Sequence, residues 1–243
     1  MKKKFLAISA IAATLFSCSE QDVYEFEIPD GYVYESADIE SDVTDNNVDD
    51  EDEDGSTTTA NGYKYVDLGL TSGLKWATIN IGATLSADYG NYYAWGEIKT
   101  KSSYTSSNST TYQDDTVDEF SGNATYDADT AKWGSTWRMP TYTECKEFVN
   151  ECTWTWTTQK NSDGSTIKGY LVVGNNGNSI FIPAAGYRKT SSLYNTGTDG
   201  YYWSSTPLTS SALVANALIF DSSSQNASYR TRYYCLPIRP VSD

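Results

Sequence analysis

From residue 19 to residue 61 the chain carries 16 acidic residues and not one lysine or arginine, which confines a folded core to the residues beyond 61. Asp49, Asp50, Glu51, Asp52, Glu53 and Asp54 are consecutive, and Gly55-Ser56-Thr57-Thr58-Thr59 comes next. Such a segment repels itself and has little to bury, so it is expected to stay extended and solvated. As a tether it would reach about 140 Å when fully stretched and about 40 Å as a coil. The acid run lacks the spaced glycine and closing glutamate of a calcium loop. Upstream, Tyr24, Phe26 and Ile28 alternate with polar residues ahead of Pro29-Asp30-Gly31, a pattern that suits a short hairpin docking on the domain. Residues 62–243 hold 16 acids against 14 bases, so the formal charge of −15 belongs to the tether. The domain is nearly neutral, and no basic face for nucleic acid is expected.

Those 182 residues fit a single domain, and their pattern favours strands. Residues 63–68, 169–173, 179–182 and 213–220 are rich in β-branched and aromatic side chains and are bounded by Gly, Asn, Ser or Asp. Asn175-Asn176-Gly177-Asn178 has the composition of a hairpin turn between two of them. One helix announces itself: Pro140 precedes Thr141, Glu144 follows three residues on to complete a capping box, and Cys145, Phe148, Val149 and Cys152 recur at helical spacing. A second short helix is expected near Asp127 to Lys132. The fold class read from this is α+β, strand-dominated with one or two short helices.

The first residues read as a processing signal, with Lys2, Lys3 and Lys4 ahead of an apolar run from Phe5 to Phe16. That run is shorter than the roughly 20 apolar residues a membrane-spanning helix needs. Leu15-Phe16-Ser17-Cys18 resembles the lipobox of bacterial lipoproteins, which implies cleavage before Cys18 and acylation of its thiol. Several acyl carbons at about 0.8 kcal/mol per buried methylene would hold the chain on a membrane. The acids just behind, in Ser19-Glu20-Gln21-Asp22, resemble the surface-display signal of lipoproteins from Bacteroides-like bacteria. The expected location is the outer membrane, facing the cell exterior, with the periplasm as the alternative.

A second resemblance covers residues 62–242. Tyr65-Val66-Asp67-Leu68-Gly69-Leu70, Ser72 to Thr78, Asn80-Ile81-Gly82-Ala83, Asp88-Tyr89-Gly90 and Tyr93-Ala94-Trp95-Gly96-Glu97 open the series. Trp137-Arg138-Met139-Pro140-Thr141, Pro183 to Arg188, Gly200 to Thr206 and Ile238-Arg239-Pro240-Val241 continue it. Together they resemble the Fibrobacter succinogenes major paralogous domain, which is similar to the C-type-lectin-like fold. With the lipobox and the acidic run, this gives three expected segments: a lipoprotein signal peptide over 1–17, a lipidated and mostly disordered acidic tether over 18–61, and, implied by this resemblance, a C-type-lectin-like domain over 62–243. The resemblance assigns no activity. The Glu-Pro-Asn, Gln-Pro-Asp and Trp-Asn-Asp motifs of calcium-dependent lectins are absent, which argues against sugar binding by that route.

The chain contains no histidine. A Ser-His-Asp or Cys-His relay, a histidine-held zinc or iron and an imidazole proton shuttle are therefore excluded, and no phosphate-cradling glycine pattern occurs. No metal and no cofactor is expected. Asp127, Asp129 and Glu144 are the acids that a carboxylate-pair hydrolase would draw on, though helix capping and helix starts give each a structural role. Once Cys18 is lipidated, Cys145, Cys152 and Cys235 remain. The first two would lie about 10 Å apart along one helix, beyond disulfide reach. Either Cys152 pairs with Cys235, or all three are buried thiols acting as small apolar groups.

From Tyr187 to Tyr234 the chain carries seven tyrosines and ten serines, the mixture recognition surfaces favour, because tyrosine offers broad amphipathic contact at low entropic cost. Tyr194, Tyr201, Tyr229, Tyr233 and Tyr234 are the candidate ligand-binding residues, with Arg188, Arg230 and Arg232 as charged companions. The alternative for any one of these tyrosines is packing over the sheet with only its hydroxyl wet. Trp137 and Trp203 are assigned to the core. The related variable proteins of diversity-generating retroelements vary in the corresponding segment, here Ser204 to Tyr234. Asp115-Thr116-Val117 and Asp129-Thr130-Ala131 match the O-glycosylation motif of Bacteroides-like bacteria, with Thr116 and Thr130 as acceptors. The expected function is a non-enzymatic surface module for adhesion or capture of a protein or glycan. The alternatives are an assembly component of the envelope or a fimbria, a retroelement-diversified ligand-binding protein, and, last, a carboxylate-pair hydrolase.

Overall fold

The computed structural model describes residues 57–243. The expected signal peptide, Cys18, nearly all of the expected acidic tether and the hairpin expected around Tyr24 to Ile28 lie outside the described residues. In chain order the strands are β1 (Thr57–Ala60), β2 (Tyr63–Asp67), β3 (Lys75–Ala77) and β4 (Tyr93–Ala94), then helices α1 (Ala128–Trp133) and α2 (Tyr142–Glu151). Next come β5 (Thr153–Lys160), β6 (Thr166–Val173), β7 (Ser179–Pro183), β8 (Tyr187–Lys189), β9 (Ser192–Tyr194) and β10 (Gly200–Pro207). The last four are β11 (Val214–Phe220), β12 (Gln225–Thr231), β13 (Cys235–Leu236) and β14 (Val241–Ser242). They form four sheets, ordered β1-β2-β3-β14, β10-β11-β12, β4-β13-β8-β9 and β5-β6-β7. The named strand pairs are all antiparallel. The molecule is thus strand-dominated with two short helices. No helix among the described residues is long and apolar enough to cross a membrane.

The sheet β10-β11-β12 divides the interior because successive side chains on a strand point to opposite faces. Tyr202, Leu218 and Phe220 join Trp76, Phe148, Tyr170, Val172 and Ile182 on one side. Tyr201, Trp203, Ala215 and Ala217 join Trp95, Trp133, Trp137 and Ile238 on the other. Helix α2 packs on the first side through Cys145 and Phe148, and its capping box between Thr141 and Glu144 is formed as the sequence suggests. Helix α1 supplies Ala128 and Trp133 to the second.

The resemblance-bearing motifs supply much of this interior. Trp76, Trp95, Trp137 and Trp203 are fully buried. Trp95 Nε1 donates to the Ser204 carbonyl at 2.8 Å and Trp203 Nε1 to that of Tyr93 at 2.8 Å, locking distant segments together. The buried Arg239 donates to Asn80 Oδ1 at 2.8 Å and to the carbonyls of Ala77 and Phe181 at 3.0 and 3.1 Å. Burial pulls its pKa down to about 10, and the three acceptors keep a charge-bearing group tolerable in the interior.

The Cys152–Cys235 pairing does not form, and the thiols of Cys145, Cys152 and Cys235 are free. Cys152 caps α2 and packs against the core on the α2 side. Cys235 sits in β13 among Tyr92, Ala94 and Tyr104. Burial pushes the Cys152 thiol up to about 12 and the other two higher still; Cys145 and Cys235 are buried, as the second reading expects, while Cys152 is only partly so.

Candidate functional site

The strand pair β8–β9 is built for aromatic display. Thr190, at φ 54°, turns the chain, and the resulting register sets Tyr187 opposite Tyr194, Arg188 opposite Leu193 and Lys189 opposite Ser192. Directly opposed residues share a face, and the Tyr187 and Tyr194 rings stack at 5.3 Å. On the other side of β8, β13 pairs Cys235 with Arg188, which brings the preceding Tyr234 flat against Tyr187 at 5.2 Å and 7°. Tyr201 meets Tyr187 edge-on at 5.2 Å from β10. Tyr233 meets Tyr234 edge-on at 5.1 Å, and Tyr112 meets Tyr233 at 5.0 Å. Six phenols thus form one continuous array centred on Tyr187.

Two cations lie over ring faces: Lys189 Nζ is 5.4 Å from the Tyr234 centroid and the Arg230 guanidinium 4.7 Å from that of Tyr201. Asp199 closes the edge, accepting from the Tyr201 hydroxyl at 2.6 Å and from Asn195 Nδ2 at 2.7 Å. Burial, then the neighbouring Tyr234, raises the Tyr187 pKa, and hydrogen bonding to Tyr234 raises that of Lys189. The array is thus a set of phenol rings flanked by two cations, with the Asp199 carboxylate at its edge. Tyr194 is 40% exposed, Tyr187, Tyr233 and Tyr234 are half-buried, and Tyr201 is 5% exposed.

Of the sequence candidates, Tyr194, Tyr233, Tyr234 and Arg230 come together here, with Tyr201 beneath them as a buried support rather than a contact surface. Three others do not belong. Tyr229 stands opposite Asn216, whereas Arg230 stands opposite Ala215, so strand alternation sends Tyr229 to the other face of the sheet. Arg232 is buried, donating to the carbonyls of Val214, Thr111 and Asp114 at 3.1, 3.1 and 2.7 Å and lying 4.2 Å over Trp95. It is a structural tie. Arg188 points away from its strand neighbours, with its guanidinium 5.7 Å over the Tyr92 ring. Sequence reasoning does not single out Tyr187, Lys189 or Tyr112. For the first two a signal exists, since a tight turn after Lys189 places Tyr187 and Tyr194 in register.

The acids offered for hydrolysis are occupied or sealed. Asp127 is buried and accepts from the N–H groups of Gly122, Asp129, Thr130 and Met139. Glu144 closes the α2 cap and takes Arg138 bidentately at 2.9 and 2.7 Å. Asp129 is fully buried. Among the described residues no three His, Cys, Asp or Glu side chains gather as a metal site. Of the two proposed glycosylation acceptors, Thr130 is buried with its hydroxyl donating to Trp137 O at 2.8 Å, so the folded domain shields it. Thr116 is exposed.

A family described as a domain of unknown function (DUF8237) matches residues 153–241, a span that holds all of the array except Tyr112. No curated protein and no solved structure matches the chain.

Proposed function

We propose that this chain is a surface lipoprotein, anchored through Cys18 in the outer membrane, whose C-type-lectin-like domain captures a protein or glycan on the tyrosine array. The observation that carries the reading is the continuous set of phenol faces running from Tyr112 through Tyr233, Tyr234 and Tyr187 to Tyr194, with Lys189 and Arg230 beside them. Rigid aromatic side chains flanked by cations suit recognition because they lose little entropy on binding and give up poorly held water. The lipobox-like Leu15-Phe16-Ser17-Cys18 supports the anchor. The C-type-lectin-like assignment is supported by the ordered motifs, whose tryptophans and Arg239 are all buried.

An array of glycans and host proteins probed with the purified chain tests the reading. A hit is expected to weaken about tenfold or more, some 1.4 kcal/mol, in Tyr194→Ala or Tyr234→Ala. Binding should be unchanged in Tyr229→Ala. Binding indifferent to the first two substitutions would place the function elsewhere, and absence of labelled palmitate from Cys18 would remove the anchor.

A further inference from the structure

The face of β8 opposite the tyrosine array opens on a cavity of 290 Å³ lined by Gly90, Asn91, Tyr92, Thr100, Lys101, Tyr104 and Arg188. Its two tyrosine hydroxyls and its lysine are matched, and one buried polar atom in the lining is not. The Tyr92 hydroxyl donates to Ala185 O at 2.6 Å, and the Tyr104 hydroxyl donates to Tyr92 O at 2.8 Å while accepting from Lys101 N at 2.7 Å. Lys101 Nζ pairs with Glu97 at 2.5 Å. Arg188 is the exception: none of the ion pairs among the described residues includes it, and its Nε is buried with no acceptor.

We propose that this cavity binds the singly charged oxyanion of a sugar-sized ligand, a carboxylate or sulfate ester carried on a ring. A guanidinium presents parallel N–H donors that match two oxygens of such a group. With Glu97 neutralising Lys101, the lining keeps one net positive charge at Arg188, which suits a monoanion better than a phosphate dianion. The Tyr92 and Tyr104 rings provide an apolar wall for the C–H face of a ring. The volume lies at the small end of ligand pockets and suits one sugar unit rather than a chain. This site is separate from the tyrosine array, since strand alternation puts Arg188 and Tyr187 on opposite faces.

Saturation-transfer NMR on the purified chain with glucuronate, glucose 6-sulfate and glucose tests it. Glucuronate or glucose 6-sulfate should respond where glucose does not, and the stronger of the two names the oxyanion. Affinity should fall at least tenfold in Arg188→Gln, fall less in Arg188→Lys, which keeps the charge without the fork, and stay unchanged in Tyr234→Ala. An equal response from glucose, no response from either acid, or a response that survives both Arg188 substitutions would overturn the proposal. Loss in Tyr234→Ala would likewise overturn it, by moving the site to the tyrosine array.

Discussion

Both carboxylate oxygens of Asp129 are buried without a hydrogen-bond partner, while its neighbour Asp127 takes the N-cap of α1. Burial first, and the Asp127 charge second, push the Asp129 pKa well above the ordinary aspartate value. In the unfolded chain this carboxyl ionises near pH 4, about its unperturbed value. Between that pH and the raised folded-state pKa, the folded protein holds a proton that the unfolded chain has released. The contribution of Asp129 to stability is therefore complete below about pH 4 and falls as pH rises. Asp129→Asn should remove that slope, so denaturant titrations are expected to show wild type losing ground to the variant with rising pH. A stability difference independent of pH would contradict this. The sequence makes Asp127 and Asp129 legible as acids at a helix start, but not their burial, which comes from partners far along the chain. The burial of Arg232 and Tyr201 is hidden for the same reason: nothing adjacent to them signals Trp95 or Tyr187.

Elements with local signatures are readable, and those defined by their neighbours are not. Thr141 and Glu144 mark the start of α2 because a cap is a contact three residues long. Asn175 to Asn178 marks the β6–β7 turn, where Gly177 adopts φ 90°. Strand β5 is legible but is missed by a search for apolar runs: Trp154 and Trp156 turn inward and Thr153, Thr155 and Thr157 outward, the period-two alternation of a half-buried strand. Strand β12, mostly polar, owes its existence to pairing with β11. At the tyrosine array the critical backbone position is Gly186, with φ 63° and a bridge to Gly200. A Cβ there would stand 2.0 Å from Tyr194 O and 2.8 Å from Thr196 N, both backbone atoms. Gly186→Ala should cost about 3 kcal/mol, combining left-handed strain with overpacking, and read as a lower denaturant midpoint at unchanged slope. A loss below about 0.5 kcal/mol, the range of neutral surface changes, would show that the hairpin slides freely past this position.

On the scale of the whole molecule, acidic and aromatic residues are segregated along the chain. Acidic residues concentrate before residue 62, while the described domain spends its tryptophans on the interior and groups six of its tyrosines around β8. That separation is legible from composition, as is the tyrosine-rich character of the C-terminal segment. The particular face is not, because it is assembled from β8, β9, β10, β13 and the segment carrying Tyr112, which only the sheet β4-β13-β8-β9 and its neighbours bring together. The most direct test of the account is oxidative footprinting of the chain with a bound array hit. Protection is predicted at Tyr187, Tyr194, Tyr233 and Tyr234, with Tyr229 labelled as strongly as in the free protein. Protection centred on Tyr229, with the other four unchanged, would contradict it.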